Sequence, residues 1–379
     1  MNPNEILEYF HGRQDAIINS IPEIVDIESP SYNVTQSRLV ADWIEQNVRD
    51  IALDLTIERI PVDDFGDHIL IRAFQTSEPH TLLLGHTDTV HPTGTNLQNP
   101  TRIEGDRFYG CGIFDMKANV VLMFEALRFF AVSGTRPARP ITILLSCDEE
   151  VGSFTGRPLI EHEAAKAACC LVFEPSADGR VKTGRKGTSM YKLRAHGVPA
   201  HAGLEPEKGA NAIAEISRQI EKIHSVAKPD IGTTVNVTTI HGGTATNVIP
   251  EHAECEIDVR FSKMAEADRV DAELRSLDAF NPRVSLELLG GINRPPLERT
   301  AAVIAFYEKA RDLASSFGYG LDETQVGGAS DGNFVAALDV PVLDGLGISG
   351  AGAHMLTEHI LVSDIAKRAT LVTLIMMSE

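Results

Sequence analysis

The chain has 379 residues, 43% of them hydrophobic, and a formal net charge of −19. That length fits two domains, or one large domain carrying an insertion. No apolar run reaches the roughly 18 residues of a membrane span, and so acidic a surface repels nucleic-acid phosphate.

The N-terminal stretch MNPNEILEYFHGRQDAI has no basic region leading into an apolar run and a small-residue cleavage site, so no signal peptide is read. Cys111, Cys147, Cys169, Cys170 and Cys255 are odd in number and lack zinc-ribbon spacing. They read as reduced thiols, and a cytoplasmic location is expected.

A helix begins after Asn33, with Leu39, Val40, Trp43 and Ile44 on one face. Strands are expected at ALDLTIERI, HILIRAF and TLLLG, and a helix from Met116 to about Phe130. The buried strand ITILLSC leads into Asp148, Glu149 and Glu150. A helix over residues 158–168 leads to CCLVF and then Glu174. This alternation predicts an α/β catalytic domain whose mainly parallel sheet carries helices on both faces.

The pattern changes near Gly187. TSMYKLRAHG, TTVNVTTIHGG, AECEIDVRF and RVSLELLG alternate as half-wet strands, with helices at GANAIAEISRQIEKIHSV and EADRVDAELRSL. Ile213, Ile216, Ile220 and Ile223 form one stripe. The order strand-helix-strand-strand-helix-strand predicts an α+β, ferredoxin-like domain at 187–297, inserted into a catalytic domain of 1–186 and 298–379.

His86 and Asp88 follow TLLLG, Asp115 follows YGCGIF, and the acidic trio and Glu174 follow two further strands. Ligands of open parallel sheets bind beyond the carboxyl ends of the strands, where such residues converge. His354 lies in a Gly-rich loop, GAGAHML. Several carboxylates with imidazoles on one rim need a cation to neutralise them, and this donor mixture suits zinc or a metal pair. Asp148 alone reads as a helix cap.

The motifs GHTDTV, YGCGIFDMK, SCDEEVGS, VFEP, HAG, TATNVIP and GAGAHM occur in this order from about residue 80 to 360. Together they resemble the zinc exopeptidase and deacylase family of glutamate carboxypeptidase, aminoacylase, acetylornithine deacetylase and succinyl-diaminopimelate desuccinylase. RIEGDRFYGCGIFDMK and DEEVGSFTGRPLI look closest to the glutamate carboxypeptidase branch. The resemblance implies two Zn2+ per chain, with Co2+ or Mn2+ as possible substitutes. Asp115 bridges them, His86 and Glu174 complete one site, and Glu150 and His354 the other. Asp88 orients His86 through its second ring nitrogen, and Glu149 is the general base. His91 reads as loop at the pocket rim. A cis peptide bond after Asp115 is implied as well.

For the inserted domain the resemblance implies dimerisation, with His201 reaching the partner's site to stabilise the oxyanion. Asn247 assists substrate binding. Arg260 holds a substrate carboxylate, with a strand-face ion pair as its alternative. Gly327 and Gly328 supply close backbone near the site, while Arg185 and Lys186 read as solvated charges, with a hold on an acidic substrate as their alternative. Cys111, Ala118 and Asn119 depart from the usual wording, beside Asp115 but without removing a ligand. The expected activity is cleavage of an amide next to a free carboxylate in a small peptide or N-acyl amino acid. An N-acyl amino acid deacylase shares every ligand, and a passive metal-binding protein would have no use for Glu149.

Overall fold

The structure, a computed structural model, describes residues 1–378. Its contacts divide the chain into two units. The first comprises Met1–Gly184, Arg299–Gln325 and Ser330–Glu379; the second comprises Arg185–Glu298 and Val326–Ala329.

The first unit is built on a six-stranded sheet. Its order is Leu55–Val62, Gly66–Ala73, Ile141–Ser146, His80–His86, Ala167–Val172, Val342–Leu343. The first two pairings are antiparallel and the other three parallel. Every residue of His80–His86 and Ile141–Ser146 is buried, as expected for central strands covered on both faces. Leu55–Val62 alternates instead, since it forms the sheet edge.

Three of the helices packed into its core show how the elements begin, end and face inward. Pro3–Val25 begins with a capping box, in which Asn2 and Glu5 satisfy each other's backbone donors. Ala118–Ser133 ends at Gly134, whose φ of 68° is the left-handed C-cap that glycine adopts without strain. Ile365–Ser378 buries Ile365, Leu371, Val372 and Ile375 in the same core. The expected strand PVLDGLGI is ordered as strand only at Val342–Leu343. Gly345, at φ 72°, turns the chain away from the sheet two residues later.

A small antiparallel sheet was not expected. It joins Gly350–Ala351, His359–Leu361, Arg107–Tyr109 and Arg102–Glu104. The pairing brings the loop containing His354 beside the segment that leads into Asp115.

Arg368 sits fully buried in the last helix. It donates to the Gly179 carbonyl and lies 3.4 Å from Asp364, with its guanidinium 5.6 Å from the Tyr319 ring centre. Removing one partner of a buried ion pair strands the other charge. Arg368→Ala is expected to destabilise the protein by about 3–5 kcal/mol, measured by urea unfolding.

The second unit is an antiparallel sheet in the order Thr234–Gly242, His252–Phe261, Gly187–His196, Ser285–Arg294. Period-2 patterning sends Tyr191, Leu193, Cys255, Ile257 and Val259 to one face. Helices Ala212–Ser225 and Met264–Arg275 cover that face with Ile216, Ile223, Val270 and Leu274, while Ile213 and Ile220 are only partly buried. The other face carries ion pairs such as Lys192–Glu254 and Arg194–Glu254, at 3.3 and 3.1 Å. This unit therefore has its own apolar core. Residues 326–329 belong with it, an association that the linear pattern does not reveal.

Candidate metal centre

Parallel strands end on the same side, so three strand ends of the first unit deliver donors together. His86 is the last residue of its strand. Glu149 and Glu150 lie in the turn after Ile141–Ser146, and Glu174 lies two residues beyond Ala167–Val172. Asp115 comes from a distorted turn before Ala118–Ser133, and the Asp115–Met116 peptide bond is cis.

Asp115 occupies the middle. Its Oδ1 is 3.1 Å from His86 Nε2, and its Oδ2 is 3.4 Å from His354 Nε2. On one side, Glu174 Oε1 lies 3.5 Å from His86 Nε2. On the other, Glu150 Oε2 lies 3.3 Å from His354 Nε2. Donor atoms of His86, Glu149 and Glu174 lie within 4.8 Å of one another, as do those of His86, Asp115 and Glu150. His354 is held at φ 67°, outside the usual region for a residue with a side chain.

The electrostatics show what such a cluster lacks. Burial pushes the Glu150 carboxyl up to about 7, and the Asp115 charge adds to this. Hydrogen bonds to Asp115 and Glu150 push His354 up to about 10. Burial pulls His86 down, but Asp115, Asp88 and Glu174 outweigh it and hold the imidazole well above its ordinary value. The carboxylates thus call for cations, and here the imidazoles are driven toward that role. Glu150 Oε1 is buried and has no hydrogen-bond partner. A buried, unpaired carboxylate oxygen is costly. The donor set and this oxygen fit divalent metal.

Asp88 does more than face His86. Its carboxylate is 3.4 Å from His86 Nδ1, but its main-chain oxygen is closer, at 3.0 Å. The carboxylate accepts the Glu149 and Glu150 backbone N–H groups at 3.2 and 3.1 Å, and the Ser31 hydroxyl at 2.6 Å. One buried residue therefore holds the imidazole, chiefly through its main-chain oxygen, and the Glu149–Glu150 turn through its carboxylate. Asp148 accepts the Thr155 N–H and hydroxyl, both at 2.7 Å, as a turn cap does.

Two buried residues escaped the sequence reading. Glu358 accepts the N–H groups of Gly112, Phe114 and Asp115 at 3.0, 2.9 and 2.9 Å, fixing the approach to Asp115. Its fourth partner is His91 Nε2 at 2.8 Å. His91 is therefore not rim loop; it is buried against Glu358. Nothing in GAGAHMLTEH distinguishes Glu358 from a surface acid, since its partners lie about 245 residues away in sequence. Asp331, in the stretch GGASDGN but with no role of its own in the sequence, accepts the Ser146 hydroxyl at 2.8 Å and that of Ser153.

The other predicted residues lie in the second unit. His201 is exposed on the two-stranded sheet Ala200–His201 with Val248–Ile249, and its Nδ1 accepts the Gly203 and Leu204 N–H groups. Asn247 is exposed, and its carbonyl accepts the Ala202 N–H at 2.9 Å. Arg260 forks onto Asp258, at 2.9 and 2.8 Å, so the strand-face ion pair is the state seen. Arg185 is buried rather than solvated. It donates to the Gly328 and Ala329 carbonyls at 3.2 Å, which accounts for its burial and anchors the glycine segment.

Residues 82–378 match the family "Peptidase family M20/M25/M40". The chain belongs to this family. M20 relatives include carboxypeptidase G2 of Pseudomonas sp. (strain RS-16), 28% identical over 96% of this chain and 89% of the relative. A succinyl-diaminopimelate desuccinylase of Verminephrobacter eiseniae is 31% identical, over 77% of each chain. In fold, the aminopeptidase PepT of Bacillus cereus superposes with a TM-score of 0.76 at 21% identity, covering 96% of this chain and 98% of that one. As an M20 member the chain is a hydrolase, and no described helix is long and apolar enough to cross a membrane.

Proposed function

We propose that this M20 hydrolase is a dinuclear zinc exopeptidase that cleaves an amide next to a free carboxylate, in the manner of a glutamate carboxypeptidase. The observation that carries this reading is the placement of Asp115 between two imidazoles, each with its own carboxylate. His86, Asp115 and Glu174 would hold one ion; Asp115, Glu150 and His354 the other. Cobalt or manganese suits the same donors. The ions, when bound, supply Lewis acidity toward the scissile carbonyl and acidify the attacking water.

Glu149 is the general base. Its turn is fixed by Asp88, so its carboxylate can take a proton from the water and return it to the leaving amine. The supporting likeness is to carboxypeptidase G2, along nearly the whole chain. A panel of dipeptides and N-acyl amino acids, assayed with zinc-loaded protein, tests the reading; no turnover of any member would reject it.

Arg260 is the proposed anchor for the substrate carboxylate, taking it in exchange for Asp258. Arg260→Ala is expected to raise KM at least 10-fold for every active substrate, with a smaller change in kcat. An unchanged KM would remove the carboxylate-anchor assignment.

An N-acyl amino acid deacylase is the second reading, favoured by desuccinylase relatives at up to 31% identity. The same panel separates the two by whether peptides or acylated amino acids turn over faster.

The second unit is the proposed lid and dimerisation domain, spanning about residues 187–297. Thr234–Gly242 is an edge strand of its sheet, and an edge offers unpaired backbone to a second copy. In such a homodimer His201 would stabilise the oxyanion in the partner's site, while Asn247, Gly327 and Gly328 contact substrate. Mixed His201→Ala and Glu149→Gln proteins are then expected to recover activity that neither has alone. Absence of recovery after subunit exchange, followed by mass spectrometry, would count against the shared site. All five cysteines are free and buried, which supports a reducing, cytoplasmic location.

A further inference from the structure

We propose that the second unit carries a separate transition-metal site, formed by His196 and His252. These residues are directly paired across the antiparallel strands Gly187–His196 and His252–Phe261. Their Nδ1 atoms lie 3.3 Å apart, with ring centres separated by 5.3 Å and planes at 81°. Two imidazole nitrogens on one zinc ion at about 2.0–2.1 Å, with a tetrahedral angle between them, stand roughly 3.3–3.4 Å apart. The observed spacing already meets that condition.

The remaining ring nitrogens strengthen the case. His196 Nε2 faces Glu287 Oε2, and His252 Nε2 faces Glu251 Oε2, each at 3.7 Å. Metal-ligating histidines commonly direct the second nitrogen at a carboxylate, which fixes the tautomer and makes the first nitrogen a better donor. Here each ring has a carboxylate on its far side, within reach of a small side-chain movement though not yet in hydrogen-bond contact. Without an ion the same 3.3 Å contact is an imidazole–imidazole hydrogen bond, which a metal would replace.

The pair opens onto a cavity of about 540 Å³, also lined by His241 and Glu254. His241 is the register partner of Glu254, one step along the same sheet. Glu254 is already paired with Lys192 and Arg194, so His241 or water is left as the third ligand. Imidazole-rich sites of this kind take zinc, nickel or copper.

The location gives the ion a purpose. His196 is followed by the segment that reaches His201, and His252 is preceded by the one that leaves Asn247. Between them, Gly197 N–H donates to the Glu251 carbonyl at 2.7 Å, and Ala200–His201 pairs with Val248–Ile249. A metal across the histidines would staple the base of the arm that presents both residues.

The test counts zinc. Full-length protein is equilibrated with zinc by dialysis, and bound ions per chain are measured by elemental analysis. Wild type is expected to hold one ion more than His196→Ala or His252→Ala. His11→Ala, which alters an exposed histidine in the other unit, should match wild type. His252→Gln serves if the alanine variant fails to fold. Glu251→Gln and Glu287→Gln keep both Nδ1 donors and are expected to weaken the extra ion by roughly 10-fold. Retention of the extra ion by either histidine variant, equal counts throughout, or the same loss in His11→Ala would overturn the proposal. The counts do not depend on turnover, so failure of the proposed activity leaves this test intact.

Discussion

Glu149→Gln is expected to lower kcat by about 10²–10⁴-fold, the usual contribution of a positioned acid–base group, while zinc content stays at the wild-type value. Glutamine preserves the size of the side chain and can still accept a hydrogen bond through its carbonyl oxygen, but it cannot take a proton. The neighbouring Glu150 cannot substitute. Its Oε2 faces His354, and the N–H groups of both turn residues are held by Asp88. Stopped assays for product and elemental analysis on the same preparation decide the matter. Loss of zinc together with activity would make Glu149 a ligand. Retention of both would move the base elsewhere.

Asp115→Ala is expected to abolish activity and to cost both ions, because its two oxygens face the two imidazoles separately. No other carboxylate of the cluster stands between His86 and His354 in this way. The effect should appear in stability too. A site with free ligand at 100 times its dissociation constant adds about 2.7 kcal/mol, so two filled sites add about twice that. Wild-type protein should therefore lose thermal stability when treated with a chelator and regain it with zinc. Asp115→Ala should lose the part of this response that comes from the donor cluster. A zinc-dependent rise in melting temperature in that variant, as large as that of wild type, would show that Asp115 is not the bridge.

The parts of the fold that were legible were those with strong periodicity. TLLLG and ITILLSC read as buried strands because they are apolar without interruption, and their ends place His86, Glu149 and Glu150. The alternation in TSMYKLRAHG and AECEIDVRF marks a sheet with one wet face. The proposed donors His86, Asp115, Glu150, Glu174 and His354 were picked out by the family resemblance of their short motifs, and the structure gathers them into one cluster. Glu358 and His91 were not, because their meaning lies in one another and in three backbone N–H groups. The four-stranded sheet around His359–Leu361 was hidden for a similar reason: strands of two or three residues have too little sequence for a pattern. Arg185 misled because an isolated charge beside glycines looks solvated, whereas two main-chain carbonyls account for its burial.

The interrupted course of the first unit has a consequence for how the protein is born. Its central sheet needs Val342–Leu343 as an edge, its core needs Ile365–Ser378, and its donor cluster needs His354. All of these leave the ribosome after the second unit, which closes its separate core with residues before 299. Domains fold as units during synthesis. The inserted unit is thus free to fold first, while the unit it interrupts waits for Ile365–Ser378. A nascent chain halted before residue 354 would protect the second unit from protease and leave the donor cluster one imidazole short.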